Sequence, residues 1–260
     1  MILRLDLEYD GAAFYGWAAQ PGLRTVEGVL SEAVRRFWPQ SGRPAVAGRT
    51  DTGVHASSQV VTLNGTRGGP GIERVAAALN AHLPSDLAVL AASHEPAGFD
   101  ARFSASSRRY EYRVLRSRAP SPLRVGRTWH WSRAISGEVL AACASVLHGE
   151  HDFRAFTPAE TQHAVFRRSV LEAVWEQRGD ELVFSIEADS FLRHMVRTLV
   201  GTMIQTAGGE RPLEDFASLL AGAPRSAAGV TAPPQGLCLT AVRYGPPEHA
   251  EKSPQNDNTN

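Results

Sequence analysis

The chain has 260 residues, 43% of them hydrophobic, which is enough for a sizeable core in one large or two modest domains. Net charge is zero, which at first argues against a nucleic-acid partner, and no run of about 18 apolar residues occurs, so no membrane span is expected. Two cysteines, Cys143 and Cys238, supply neither a disulfide framework nor a zinc site and read as core thiols in a reducing cytoplasm.

The opening stretch, MILRLDLEYD, lacks a basic region followed by an apolar run and is not a secretory signal. Leu3, Leu5, Leu7 and Tyr9 alternate with Arg4, Asp6 and Glu8, which predicts a half-buried strand ended by the turn signal Asp10-Gly11. Apolar residues at 26, 29, 30, 33, 34 and 37 form a helical stripe over residues 26–38. A strand over 59–63, a helix over 72–83 stopped by Pro84, and a strand over 87–92 follow. In the second half, RYEYRVL (109–115) alternates as a strand and 137–147 is helical. Residues 166–176 and 182–188 flank Arg178-Gly179-Asp180 as a hairpin. A helix is expected over 190–207 with Asp189 or Ser190 as N-cap, a short helix over 212–220 and a last strand over 237–244. This menu predicts an α+β protein of two lobes with a cleft between them: residues 1–105, residues 106–246, and a polar tail over 247–260 that is expected to be disordered.

Zero net charge hides a local excess. Between residues 102 and 133 nine arginines face one acid, Glu111, so this segment carries +8 and the remainder −8. Lys252 is the only lysine, so the preference for arginine is general, but the clustering reads as a polyanion-binding strip.

The stretch GRTDTGVHA (48–56) contains Asp51-Thr52-Gly53, the triplet of aspartic proteases. That chemistry needs two carboxylates sharing a proton, hence two such triplets in one chain. Only one is present: Asp189-Ser190 is followed by Phe191, and Arg49 beside Asp51 opposes proton sharing. A protease is therefore disfavoured. A structural Asx turn remains open, with Thr50 and Thr52 fixing the loop locally. His148 and His151 flank Gly149-Glu150 without a third ligand, and a capped helix end is the better reading than a metal site. No phosphate-cradling or dinucleotide-binding glycine pattern calls for a nucleotide cofactor.

An ordered series of motifs nevertheless resembles the tRNA pseudouridine synthase A family. It comprises Tyr9-Asp10-Gly11 with Tyr15-Gly16-Trp17, the 48–56 loop, Asn80 with Leu83-Pro84, and Phe99 to Ala105 leading to Arg108-Arg109-Tyr110. Gly149 to Phe153, Phe191 to Arg197 and Gly236-Leu237 complete it; Ala18 and Thr52 depart from the usual Gln and Ala. The resemblance implies the two-lobed pseudouridine-synthase fold, with a mixed, largely antiparallel sheet, flanking helices and a central cleft. It implies a cytoplasmic homodimer that isomerises uridines 38, 39 and 40 in the anticodon arm of tRNA, with no metal and no cofactor. It makes Asp51 the single catalytic carboxylate, acting at C1′ of the sugar or at C6 of the base. It makes Arg197 the partner of that carboxylate, and Tyr110 the residue packed on the flipped base, whose hydroxyl could serve in proton transfer at C5. Arg49 is expected on phosphate or on the flipped nucleotide, and Arg193 and Arg197 are expected on one helix face. The rival from another class is a non-catalytic RNA-binding module, which would keep the arginines and need no Asp51.

Overall fold

The computed structural model describes residues 2–161 and 163–245, so the expected tail lies outside the described residues. In chain order the elements are β1 (Ile2–Tyr9), α1 (Val26–Phe37), β2 (Ala45–Val46), β3 (His55–Leu63), α2 (Ile72–Asn80) and β4 (Leu87–Glu95). The second half supplies β5 (Ala105–Arg116), β6 (Trp129–Trp131), α3 (Gly137–Ser145), β7 (Gly149–Asp152), β8 (Arg167–Arg178), β9 (Glu181–Ala188), α4 (Met195–Ala207), α5 (Leu213–Ser218) and β10 (Leu237–Tyr244). All strands join one mixed sheet of order β4-β1-β3-β10-β5-β9-β8-β7, with β2 beside β3 and β6 beside β5. Pairing is antiparallel except for β10 on β3 and β6 on β5, so the α+β, largely antiparallel class is as expected.

The period-two pattern of β1 turns Leu3, Leu5, Leu7 and Tyr9 into the core. The stripe of α1 buries Val26, Leu30, Ala33 and Val34, and the Thr25 hydroxyl caps the helix by accepting the Gly28 N–H at 3.2 Å. Val26, Leu30 and Val34 each contribute about 1.5–3 kcal/mol by their burial, and capping about 1 kcal/mol.

The chain returns to the N-terminal half only at its end. β10 pairs Leu239 with Ala56 of β3 on one side and with Tyr110 of β5 on the other. This seats Tyr110 two strands from the start of β3, where the Asp51 loop enters the sheet. The expected division at residue 105 falls at the start of β5, and both the sheet and one large apolar cluster run across it.

Two expectations need correcting. The fourth helix begins at Met195, not Ser190, because His194 takes a left-handed backbone (φ 61°) that no α-helix can include. Arg193 therefore lies before the helix and does not share a face with Arg197. Residues 149–152 are not a helix end but β7, paired with β8 from Gly149–Val170 to Asp152–Arg167, and Gly149 at φ 97° makes the turn into it. Strands β2 and β6, of two and three residues, are too short for a periodic signal.

α4 is buried on nearly every side and packs so closely on residues 229–232 that a Cβ on Gly201 would sit 1.9 Å from the Val230 carbonyl oxygen. At the far edge, Asn80 ends α2 and uses both ends of its amide on β4. It donates to the Val89 carbonyl at 2.9 Å and accepts the Val89 N–H at 2.8 Å. Asn80 thus satisfies backbone groups that an edge strand leaves open. Asn80→Ala is expected to destabilise the fold by about 1–3 kcal/mol, since both Val89 groups lose partners in a part-buried place. Urea unfolding should show a lower midpoint with unchanged slope, and an unchanged midpoint would refute this account.

Candidate active site

The loop from Gly48 to Val54 joins β2 to β3, and most of its anchors come from far away in the chain. The Thr50 hydroxyl meets the Tyr9 hydroxyl at 2.8 Å, and Gln59 Nε2 donates to the Gly48 carbonyl at 2.7 Å and to Tyr9 at 3.2 Å. Trp17 N–H donates to the Thr50 carbonyl at 3.0 Å and Gly53 N–H to the Phe14 carbonyl at 3.3 Å. Gly11 N–H donates to His55 Nδ1 at 3.0 Å, and a Cβ on Gly11 would lie 1.9 Å from the Val54 carbonyl oxygen. The motif around residues 9–17 is thus the mould for the loop, and only glycine fits at 11. Thr50 does not fix the loop locally as expected: its hydroxyl is spent on Tyr9. Thr52 is exposed.

Held this way, Asp51 presents its carboxylate across the chain to α4. Arg197 Nη1 donates to Oδ2 at 3.1 Å, while its Nε donates to the Ala232 carbonyl at 2.8 Å. The Arg197 carbonyl in turn accepts the Ala232 N–H at 3.0 Å, so both ends of the arginine are tied to one segment. The Asp51 side chain keeps 23% of its accessible surface and Arg197 14%, so the pair is sheltered but open on one side. An Asx turn would bond the carboxylate to its own backbone; here its hydrogen-bond partner is an arginine 146 residues away. His194 adds a second nitrogen, Nε2, 3.6 Å from the same Oδ2.

Tyr110 forms a wall. Its side chain is buried, Phe191 packs edge-on against it with ring centres 5.0 Å apart, and its hydroxyl would lie 3.5 Å from a Cβ on Gly48. Burial pushes the phenol far above its ordinary value, with nearby Tyr9 and Asp51 adding to the effect. Phe191 and His194 were missed as site residues. Both stand in the 191–197 motif, but nothing in the local pattern shows which way their rings turn.

The arginine strip is mostly not free. Arg109 pairs with Glu172 and Glu187, Arg113 with Glu111 and Glu181, Arg124 with Asp180, Arg127 with Asp10 and Arg133 with Glu210. Arg108 is buried, and its guanidinium donates to the carbonyls of Ala47, Ala105 and Asp189 at 2.8–3.1 Å as well as to that of Arg102. It is a structural strut between β5 and the segment before the Asp51 loop, not a phosphate contact. The acids that sequence distance hid sit on β8 and β9 (Glu172, Glu181 and Glu187) and in the segments after β1, β8 and α4 (Asp10, Asp180 and Glu210). Exposed arginines without a carboxylate partner among the described residues include Arg49 and Arg193, beside Asp51 and His194, and Arg116 and Arg118.

His151 Nε2 lies 3.0 Å from the His148 carbonyl, and the described residues contain no group of three or more His, Cys, Asp or Glu placed to hold a metal ion. Cavities of about 200 Å³ beside Asp10, Asp86 and Arg127, and of about 410 Å³ beside Trp129, Trp131 and Arg133, are not lined by Asp51. None of the described helices is long and apolar enough to cross a membrane.

Fold and site together define an α+β protein whose 48–54 loop carries one arginine-bound carboxylate, not an acid pair. A sequence model described as tRNA pseudouridine synthase matches residues 7–104 and 143–245, most of the chain. Tyr110 and all of the arginine-rich segment after residue 104 lie between the two matched stretches. The chain is 42% identical to the tRNA pseudouridine synthase A of Methylobacterium nodulans over 96% of its own length and 98% of that protein's. With the proteins of the same name from Halalkalibacterium halodurans and Caulobacter vibrioides the identity is 40%, over 90% and 93% of this chain and 89% and 98% of theirs. The chain belongs to the tRNA pseudouridine synthase family and is an isomerase.

Proposed function

We propose that the enzyme converts uridine to pseudouridine at positions 38, 39 and 40 of the anticodon arm of tRNA, with Asp51 as its one catalytic carboxylate and no cofactor. The observation that carries this reading is the Asp51–Arg197 pair, set on a rigid loop beside the Tyr110–Phe191 wall. The reaction breaks the N1–C1′ bond, turns the uracil and joins C5 to C1′, so no redox or phosphoryl partner is required. A uridine stacked in an RNA arm is out of reach and must be flipped out. An aromatic wall beside a sheltered carboxylate suits a flat base joined to a sugar, and the arginine keeps the carboxylate from being left unpaired. In this reading Arg49 meets phosphate or the flipped nucleotide, and the protein works in the cytoplasm as a homodimer sharing its tRNA.

The test is to incubate the protein with unmodified tRNA transcript, without additives and with excess chelator, against controls for tRNA folding. Pseudouridine is then located by carbodiimide labelling and mass spectrometry. Product at 38–40 supports the reading. Tight tRNA binding with no product would instead mark an RNA-binding module.

Binding itself should follow the exposed arginines. Affinity for tRNA is expected to fall with salt by roughly 0.7–0.9 log units per log unit of salt for each phosphate contact. Reversing Arg49 and Arg193 to Glu should weaken binding and flatten that slope, measured by filter binding across a salt series. An unchanged slope would show both to be solvated charges without a part in binding.

A further inference from the structure

Residues 99–105, between β4 and β5, belong to the sequence pattern but supply nothing to the Asp51–Arg197 pair. Their backbone is nevertheless tied down at almost every step. The Asp100 carboxylate accepts the N–H of Arg102 at 2.8 Å and of Phe103 at 3.0 Å. The Ser104 hydroxyl accepts the Asp100 N–H at 3.0 Å, and the Ser104 N–H donates to the Asp100 carbonyl at 2.9 Å. Ala101 is fully buried, with its N–H on the Thr62 hydroxyl at 3.2 Å and its carbonyl on the Tyr244 hydroxyl at 2.9 Å.

At the tip of this turn stands Phe103. It is 80% exposed, more than any other phenylalanine, tyrosine or tryptophan among the described residues. A lone exposed apolar side chain is common on protein surfaces and says little by itself. Here the turn cannot fold the ring back onto the protein without breaking the bonds that hold it. The ring is therefore pre-organised: a ligand that meets it has little loop ordering left to offset.

The position of the turn says more. The Arg102 carbonyl, one residue before the ring, is held by the Arg108 guanidinium together with the carbonyls of Ala47 and Asp189. One planar group thus gathers three segments. From Ala47 the chain reaches Arg49 two residues on and then Asp51; from Asp189 it reaches Phe191 two residues on; from Arg102 it reaches Phe103. The exposed ring is seated beside the roots of both the Asp51 loop and the aromatic wall.

The charge around it selects the ligand. The exposed Arg102 guanidinium stands 5.2 Å from the centre of the Phe103 ring and has no carboxylate partner among the described residues. Burial, then Arg168 and Arg102, hold His163 below the ordinary histidine range, so these basic groups are neighbours. Arg49 is exposed as well. The acid among them, Asp189, faces Arg168 and Arg108 and accepts the Ser190 N–H. A second copy of this chain would bring like charges together here. A nucleotide offers a flat base to the ring and a phosphate to the arginines.

We propose that Phe103 is an RNA-positioning residue: its ring stacks on an unpaired base of the anticodon loop beside the flipped uridine, with Arg102 on the adjoining phosphate. The inference rests on the pseudouridine-synthase reading above. Extruding a uridine takes a stacking partner from its neighbour. An aromatic platform supplies another, and it accepts any base, because every base has a π-face.

The test measures tRNA binding, saturated single-turnover rate and melting temperature for Phe103→Ala, Phe103→Leu and Phe103→Tyr. Transcripts carry 2-aminopurine at each unpaired base of the anticodon loop in turn. Phe103→Ala is expected to weaken binding by about 5- to 150-fold, the range for removing one base–aromatic stack. Its melting temperature and the salt slope of binding should not change, because neither core packing nor a phosphate contact is lost. Phe103→Tyr should bind within threefold of wild type, and Phe103→Leu, which has no π-face, should lie closer to Ala than to Phe. At one loop position or more, wild type should quench 2-aminopurine emission and the Ala variant should not. Ala-variant affinity within twofold of wild type overturns the proposal, and so does a Leu variant as good as Phe or quenching identical in wild type and the Ala variant. A shift of the Ala variant to a smaller oligomer in sedimentation, with tRNA affinity per subunit unchanged, would overturn it in favour of a contact between copies. Wild-type protein that makes no pseudouridine in the same reactions would instead overturn the functional reading, and this proposal with it.

Discussion

Asp51→Asn is expected to abolish pseudouridine formation, by more than about 10⁴-fold, while folding normally and binding tRNA within a few-fold of wild type. The amide keeps the size of the carboxylate and can still accept the hydrogen bond from Arg197 Nη1, now 3.1 Å from Oδ2. What it loses is the anionic oxygen, which any of the open chemistries needs: attack at C1′, assisted elimination, or addition to C6. The loop should survive because its anchors are the Thr50, Gly48 and Gly53 contacts, none of which uses the Asp51 side chain. Losing a charge partner for Arg197 should move stability by no more than about 1 kcal/mol, since both side chains are partly open to water. Single-turnover assays with tRNA in deficit, together with urea unfolding, check both halves. Substantial activity in this variant, with its identity confirmed by mass, would remove Asp51 from the chemistry and restore the turn-residue reading.

The extent to which the sequence revealed this site follows from the range of the interactions involved. β1, α1 and β10 were legible because a face buried by one element leaves a local period, as in Leu3, Leu5 and Leu7. The end of α4 was legible and its start was not, because Asp189-Ser190 offers a plausible cap while the real break is a backbone conformation at His194. The Asp51 loop stood out by composition, but the reason for its rigidity is spread over Tyr9, Gly11, Trp17 and Gln59, which meet it only after β1 and β3 pair. The partners of the arginine strip were hidden for the same reason. A count along the chain saw nine arginines against one acid, whereas Arg109 and Arg124 find their acids 56 to 78 residues further on. Charge balance across a sheet is a property of register, which composition does not carry.

Arg197 offers the second large effect, and it separates charge from shape. Arg197→Leu should leave Asp51 without its hydrogen-bonded partner and the Ala232 carbonyl without the Nε donor that sits 2.8 Å away. Turnover is expected to fall by about 10²–10³, the scale on which removing one aimed donor costs a site its electrostatic stabilisation. Unfolding free energy should drop by about 1–3 kcal/mol, less than for a fully buried pair because the carboxylate keeps water on one side. Arg197→Lys is the sharper probe. A single ammonium cannot bond the Ala232 carbonyl and the Asp51 carboxylate in the fixed fork that a guanidinium supplies. If charge alone matters, Lys should recover most of the rate. If the fork sets the angle of the carboxylate against the sugar, Lys should recover stability but leave turnover at least tenfold down, with tRNA affinity unchanged in both variants. The second outcome is expected, because Nε and the backbone carbonyl of Arg197 are both tied to Ala232, and that double tie aims Nη1 at Oδ2. Full activity in the Leu variant would show that Asp51 needs no partner from α4, and the site would then have to be rebuilt around His194 alone.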